Sequence, residues 1–313
     1  MITVEGLSHW YGDRRAVEGL SFTIQQNECV GLLGLNGAGK STTMKVLAGL
    51  LVPTGGTVTI DGADLVSAGA QFRSRIGYLP EDPPLYKEMT VREFIGYCGQ
   101  LKGMSASAVN ARLDGVLATA QLTARQHQVI GELSHGYRKR CGIAQAIIHK
   151  PSVVILDEPI SGLDPKQIVE MRQVIRDLAK DATVIISSHI LSEISETCDR
   201  LIVLNGGRIV AAGTEAELAA RAGGGSRVTV LVRGAPDAIA KAFAAAGVVA
   251  SDLRDESAGL TRAHVTLPAS MHGDAREALV TALVQAGVGV RRLVEDEGEL
   301  EQIFLGLTKE SAQ

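Results

Sequence analysis

Long apolar runs are missing from this 313-residue chain. Stretches such as Val153–Leu156 fall far short of the ~20 residues that a membrane-spanning helix needs, so no segment is expected to cross a bilayer by itself. The opening residues, MITVEGLSHW, lack a basic segment followed by an apolar one, and no secretory leader is expected. Cysteine is scarce. Cys29, Cys98, Cys141 and Cys198 are widely spaced and form no C-x-x-C pair, which argues for small buried thiols in a reducing compartment over a disulfide framework or a metal site. A basic excess is absent as well: the net charge is −4, so no nucleic-acid partner is expected. Internal repeats and low-complexity tracts are also missing. What remains is an ordinary globular mixture, 45% hydrophobic and 21% charged, long enough for about two domains.

The first 221 residues alternate short β-rich runs with helical patterns, which predicts an α/β domain. Cys29–Leu33 reads as a compact apolar strand, with Thr42–Leu50 the helix that follows it. Ser152–Leu156 and Thr183–Ser187 are apolar enough to be buried parallel strands. Pro165–Ala179 between them has helical spacing, with Pro165 suited to a first turn. At 222–226 a glycine-rich run predicts a linker. Residues 227–313 then read as a smaller α+β accessory domain. Its strands are expected at Arg227–Val232, Val248–Leu253, Ala263–Leu267 and Val288–Val294, with helices at Ala238–Ala246 and Ala275–Ala286. That order, βαββαβ, predicts a ferredoxin-like unit. Glu299–Leu307 is a candidate docking helix, and His264 and His272 are isolated and read as structural.

Gly34-Leu-Asn-Gly-Ala-Gly-Lys-Ser41, followed by Thr42, fits G-x-x-x-x-G-K-[ST] between a predicted strand and a predicted helix. Gly37 and Gly39 let the backbone curl so that successive N–H groups face one concavity, with Asn36 and Ala38 in the same turn. The helix N-terminus adds partial positive charge. Lys40 brings a full charge to β- and γ-phosphate oxygens, and Ser41 offers a hydroxyl to Mg²⁺. Binding of ATP or GTP follows.

Val153-Val-Ile-Leu-Asp-Glu158 is an apolar strand ending in two acids, and ligands in open α/β sheets sit at strand ends. Asp157 is therefore the candidate Mg²⁺ partner. Glu158, one residue on, points elsewhere and is the candidate to polarise the attacking water.

Together with four further segments, these residues resemble the ABC ATPase family. Leu133-Ser-His-Gly-Tyr137 stands where the family has its signature. Ser161-Gly-Leu-Asp-Pro165 is similar to its D-loop, and His189 in Ser187-Ser-His-Ile-Leu191 to its switch histidine. Tyr11 stands where the family stacks an aromatic on adenine, and Tyr78-Leu-Pro-Glu81 where it has the Q-loop. The likeness covers roughly Ile2 to Arg221 and is closest to the ABC-2 type, including ATPases named for gliding motility and for copper or nitrous-oxide-reductase maturation. The fold so implied is the P-loop NTPase fold of ABC type, with a mixed sheet core and a helical signature subdomain.

The resemblance implies ATP and Mg²⁺ as cofactors and catalysis by Glu158, His189 and Lys40. It implies an export ATPase on the cytoplasmic face of a membrane, pairing with a second copy or another ABC ATPase and acting on a multi-span permease. A soluble ABC-type regulator or assembly factor is the competing expectation. Ser134 and Gly136 would close on the γ-phosphate of the partner's nucleotide, flanked by Leu133, His135 and Tyr137. His189 would touch the same phosphate, and Asp164 would link the two sites. Each role has an ordinary competitor: Tyr11 packing beside Trp10, His189 ending a strand, Asp164 capping a helix. Three positions depart from the family pattern. His135 and Tyr137 replace the commoner glycine and glutamine, and Glu81 replaces glutamine. A carboxylate at 81 either binds the metal or has to be offset by neighbours. The Tyr-Arg-Lys-Arg run from Tyr137 is expected to face phosphate or solvent.

Overall fold

The computed structural model describes residues 1–221, 226–256, 259–267 and 275–295. Its chain divides into two units, Met1–Glu215 and Ala216–Gln313. The division falls after the first residue of a helix that continues through Arg221, whereas the sequence places it after that residue. Linker residues 222–225, His272 and the 299–307 segment lie outside the described residues.

In the first unit the chain runs β1 (Ile2–Tyr11), β2 (Arg14–Ile24), β3 (Cys29–Leu33), α1 (Lys40–Leu47), β4 (Gly55–Ile60), β5 (Ala63–Asp64), α2 (Gly69–Ser74) and β6 (Ile76–Leu79). Three helices follow, α3 (Val91–Leu101), α4 (Ala106–Thr119) and α5 (His135–Ile147). The chain then returns through β7 (Val153–Leu156), α6 (Pro165–Ala179), β8 (Thr183–Ser188), α7 (Leu191–Ile194), β9 (Arg200–Asn205) and β10 (Arg208–Gly213).

Every residue of β3, β7 and β8 is buried, as befits strands covered on both faces. They form the middle of a six-stranded sheet, β10-β9-β3-β8-β7-β6. Its pairings are parallel except that of β10 with β9. Alternating β1, β2, β4 and β5 make a separate antiparallel sheet, β2-β1-β4-β5. Ile2, Val4, Val17 and Val58 pack with Val30, Met44, Ile155 and Ile202 in one core.

The register of the parallel sheet positions the chemistry. Leu33 lies beside Ser188, Leu156 beside Ile186, and Leu79 beside Leu156. The segments leaving β3, β8, β7 and β6 therefore emerge along one edge, where open α/β sheets bind ligands.

Local chemistry sets the helices. Thr90 and Glu93 form a reciprocal capping box that starts α3, and Ser105 caps α4. α1 begins at Lys40, two residues before the expected Thr42, because Gly39 (φ 102°) caps it in the left-handed region. It stops at Leu47, and Gly49 (φ 69°) turns the chain away.

Helix α5 seats closely on β6. A Cβ at Gly142 would lie 2.4 Å from Leu79, and one at Gly77 would lie 2.2 Å from the Ala146 carbonyl. Just past the helix, His149 Nε2 donates to the Ile76 carbonyl at 3.0 Å, while its Nδ1 is buried without a partner. Burial holds this imidazole down to a pKa of about 4, against 6.5 when free. The folded protein thus binds the proton less readily than the unfolded chain. The stability gained by keeping His149 neutral is complete above pH 6.5 and is lost as pH falls toward 4. Between pH 7.5 and 5 this costs about 2 kcal/mol. Urea unfolding at the two pH values should show that loss in the wild type and not in His149→Gln; equal loss in both would refute it.

The boundary falls after the first residue of α8 (Glu215–Arg221); the second unit then contains β11 (Ser226–Arg233), α9 (Pro236–Ala245), β12 (Val249–Glu256), β13 (Leu260–Leu267), α10 (Ala275–Gln285) and β14 (Gly289–Glu295). From β11 onward the order is βαββαβ. The sheet runs β12-β13-β11-β14 with antiparallel pairings, the connectivity of a split βαβ unit. Val228, Val230 and Val232 alternate inward against Ile239, Phe243, Leu279 and Leu283. His264 Nδ1 lies 3.0 Å from the Thr229 hydroxyl across the β11–β13 pair.

Candidate nucleotide site

A cleft of about 430 Å³ opens at the sheet edge where the strand ends meet. Asn36, Gly37, Gly39, Lys40, Ser41 and Thr42 line it, facing Glu81, Glu158, His189 and Tyr11. The loop geometry follows from its glycines. Gly37 (φ 85°) has open space where a side chain would stand. Gly39 could carry no side chain, because a Cβ would lie 2.8 Å from the Ala16 carbonyl. Two residues of the motif stay out of the cleft: Gly34 is wedged against Ala38 and Leu204, and Ala38 is buried in the core. Lys40, 6% exposed, donates to the Gly34 carbonyl at 2.7 Å and lies 3.7 Å from Glu158 Oε1.

The acids at the end of β7 part as their sequence predicts. Asp157 is buried; its Oδ1 accepts from Ser187 Oγ at 2.6 Å, and it hydrogen-bonds the Tyr78 phenol, whose pKa burial and this carboxylate both raise. Ser187 Oγ also accepts the Glu158 N–H at 2.9 Å, so one hydroxyl sets both acids. Glu158 turns into the left-handed region (φ 49°), which sends its carboxylate to His189 Nδ1 at 3.0 Å. Burial raises the pKa of Glu158, opposed by the His189 hydrogen bond and the charge of Lys40. A base raised from the ordinary carboxylate range is better matched to accepting a proton near neutral pH.

Mg²⁺ fits this donor set. Among the described residues no three His, Cys, Asp or Glu side chains converge as a self-sufficient metal site. Ser41 and Asp157 offer one hydroxyl and one carboxylate, which suits an ion that completes its shell with phosphate oxygens and water.

Comparison with known proteins identifies the assembly of these features. The profile of the ABC transporter family matches residues 17–161. A linearmycin resistance ATP-binding protein of Bacillus subtilis (strain 168) is 30% identical over 98% of this chain and 98% of its own length. The chain belongs to the ABC transporter ATP-binding proteins. It is also 42% identical to Nod factor export ATP-binding protein I of Burkholderia lata, over 65% of this chain and 67% of that one. A solved ATP-binding subunit of an ABC transporter matches with a TM-score of 0.64 and 32% identity, covering 72% of this chain and 94% of the other.

In this ABC ATPase the residues expected to form the signature stand apart from the cleft, and none of Leu133, Ser134, His135, Gly136 or Tyr137 lines it. Ser134 is the N-cap of α5 and, like His135, is exposed. His135 packs beside Gly162 of the D-loop segment. Gly136 is buried, with Gln167 Oε1 only 2.3 Å from where a Cβ would stand. Asp164 caps α6, accepting from the Gln167 N–H at 2.9 Å.

The basic run after Tyr137 behaves differently from its expected exposure to phosphate or solvent. Arg138 donates to the Leu133 carbonyl at 2.7 Å. Lys139 is buried and donates to the Glu158 carbonyl, and Arg140 is buried against Glu170 and Gln121. The Arg125 and Arg140 guanidinium groups lie 5.1 and 5.3 Å from the centre of the Tyr137 ring. These cations hold the fold because α5 packs between β6 and the acid loop. Glu81 is exposed and lines the cleft; its charge acts on Lys139, the neighbour that offsets it.

Tyr11 lies in the cleft with about half its surface exposed, and its ring meets His9 edge-on at 4.7 Å rather than Trp10. Arg14 and Arg15, just across the β1–β2 turn, line the cleft too. Sequence reasoning omitted them; it quoted Ser187, Tyr78 and Lys139 within their segments but gave them no part in setting Asp157 and Glu158. For the arginines a signal was there: two cations beside the aromatic proposed to hold a nucleotide base.

Proposed function

We propose that this chain is the ATP-hydrolysing subunit of an ABC-2-type exporter. Two copies, or one copy and a paired ABC ATPase, close head to tail around ATP on the cytoplasmic face of a membrane and drive a separate multi-span permease. One observation carries this reading. The cleft holds a phosphate loop, a base and an aromatic on one side, while the signature residues stand outside it with Ser134 and His135 exposed. Half a site of this kind is completed when another copy presents its signature. Export is supported by the names of two relatives, a linearmycin resistance and a Nod factor export ATP-binding protein.

In the closed pair Tyr11 stacks on adenine, and the Gly34–Thr42 loop with Lys40 holds the β- and γ-phosphates. Ser41 and Asp157 would hold Mg²⁺, which when bound would neutralise phosphate charge; Glu81, which lines the same cleft, would stand beside them. Glu158 accepts a proton from water as the water oxygen bonds to the γ-phosphorus and the bond to the ADP oxygen breaks. His189 moves from Glu158 to contact the γ-phosphate, and Asp164 links the paired sites. Loss of that phosphate removes the contacts made by the partner's Ser134 and Gly136, and the copies part.

Among the described residues no helix is long and apolar enough to cross a membrane, and membrane association is assigned to the permease. Co-expression with a multi-span permease encoded beside it should move the chain into the membrane fraction, and its absence should leave the chain unbound. Recruitment to ribosomes or DNA, independent of any permease, would overturn the transport reading.

A further inference from the structure

Lys139 stands five residues after Ser134, in the second turn of the signature helix, and is only 2% exposed. Its ammonium donates to the main-chain carbonyl of Glu158. Burying a lysine is costly unless the cation is compensated. Here Glu81, Glu158, Asp82 and Asp157 all act on the charge and oppose the effect of burial. A flexible apolar side chain would fill the same space without that cost, so volume alone does not account for lysine.

What the cation touches is a backbone under strain. Glu158 is a non-glycine residue with φ 49°, a conformation that persists only when its surroundings hold it. Two contacts do so: Ser187 accepts the Glu158 N–H and Lys139 holds the carbonyl. With both ends of the residue fixed, its carboxylate is directed to Lys40 and His189. The helix bearing Lys139 is rigidly seated, since Gly142 leaves no slack against Leu79 and Pro83.

We propose that Lys139 is a positioning residue that ties the signature helix of each copy to the hydrolytic glutamate of the same copy. Ser134 and Gly136 stand at the start of the same seated helix, so one rigid element carries both the signature and the hold on the Glu158 carbonyl. Lys139 thereby fixes the base of each copy relative to the signature helix of that copy. The inference rests on the reading of Glu158 as base and of the signature as acting across the pair.

A double-mutant cycle tests it in the full-length chain. Lys139→Met and Lys139→Arg are made alone and with Glu158→Gln, and turnover of ATP·Mg is measured together with its affinity. Lys139→Met should lower kcat about tenfold or more while affinity stays within about twofold. Lys139→Arg, which keeps a charged donor, should recover most of that loss. In the Glu158→Gln background, Lys139→Met should cost less than about twofold, because a residue acting only through Glu158 has nothing left to position. An equal loss in both backgrounds, a parallel fall in affinity, wild-type turnover by Lys139→Met, or Lys139→Arg as slow as Lys139→Met would each overturn the proposal. Where Lys139→Met does not fold, Lys139→Gln takes its place in the cycle. Wild-type turnover by Glu158→Gln alone is a separate result: it removes the base assignment, and the role of Lys139 with it.

Discussion

Glu158→Gln should hydrolyse ATP about a hundredfold or more slowly than the wild type, the effect of removing a positioned general base, and should still bind it. The substitution is nearly isosteric. The amide keeps a hydrogen-bonding group within reach of His189 Nδ1, which lies 3.0 Å from the present carboxylate. The backbone contacts to Ser187 and Lys139 do not involve the side chain and survive. What disappears is the proton acceptor, together with a negative charge 3.7 Å from Lys40. Lys40 is then freer to serve phosphate, so affinity holds or rises while the chemical step stalls. A pair that cannot lose its γ-phosphate should stay closed. Light scattering in ATP·Mg should therefore show a long-lived dimer for Glu158→Gln and a transient one for the wild type. Hydrolysis at the wild-type rate would move the base to another residue.

The parts of this site that could be read in advance are those whose chemistry is contiguous. Gly34–Thr42 shapes its own cradle, and apolar Val153–Leu156 can hardly end elsewhere than at a sheet edge, where Glu158 lines the cleft and Asp157 is buried beside it. The second unit was legible for a similar reason, because its alternation and helical spacing are local properties. What escaped depends on elements meeting in space. Ser187 is 30 residues from the Asp157 that it orients, and Lys139 is 19 from the Glu158 that it holds. A run of three cations reads as solvent-facing until α5 is known to lie between β6 and the acid loop. Cys29 and Cys198, 169 positions apart, are free thiols with sulfurs 3.8 Å from each other, a proximity that no spacing rule gives. The early start of α1 was hidden because its cap is a left-handed glycine, not a hydroxyl or carboxylate side chain.

Two inactive variants should restore activity when mixed. Lys40→Ala removes the main cation of the phosphate loop, and ATP should neither bind tightly nor turn over. Gly136→Asp places a carboxylate where even a Cβ would lie 2.3 Å from Gln167 Oε1, and sets that negative charge against the partner's triphosphate. Each variant alone should lose activity in both sites of its own pair. In a mixed pair, however, the intact loop of the Gly136→Asp copy faces the intact signature of the Lys40→Ala copy. One site is then whole, and the other carries both lesions. Random pairing of equal amounts makes half of all pairs mixed, so about a quarter of the wild-type sites should return. The gain requires that loop and signature serving one nucleotide come from different chains. Were both supplied by the same chain, every site in the mixture would carry one lesion and no activity would reappear. Recovery near a quarter, proportional to the mixed fraction as the ratio is varied, is the expected result.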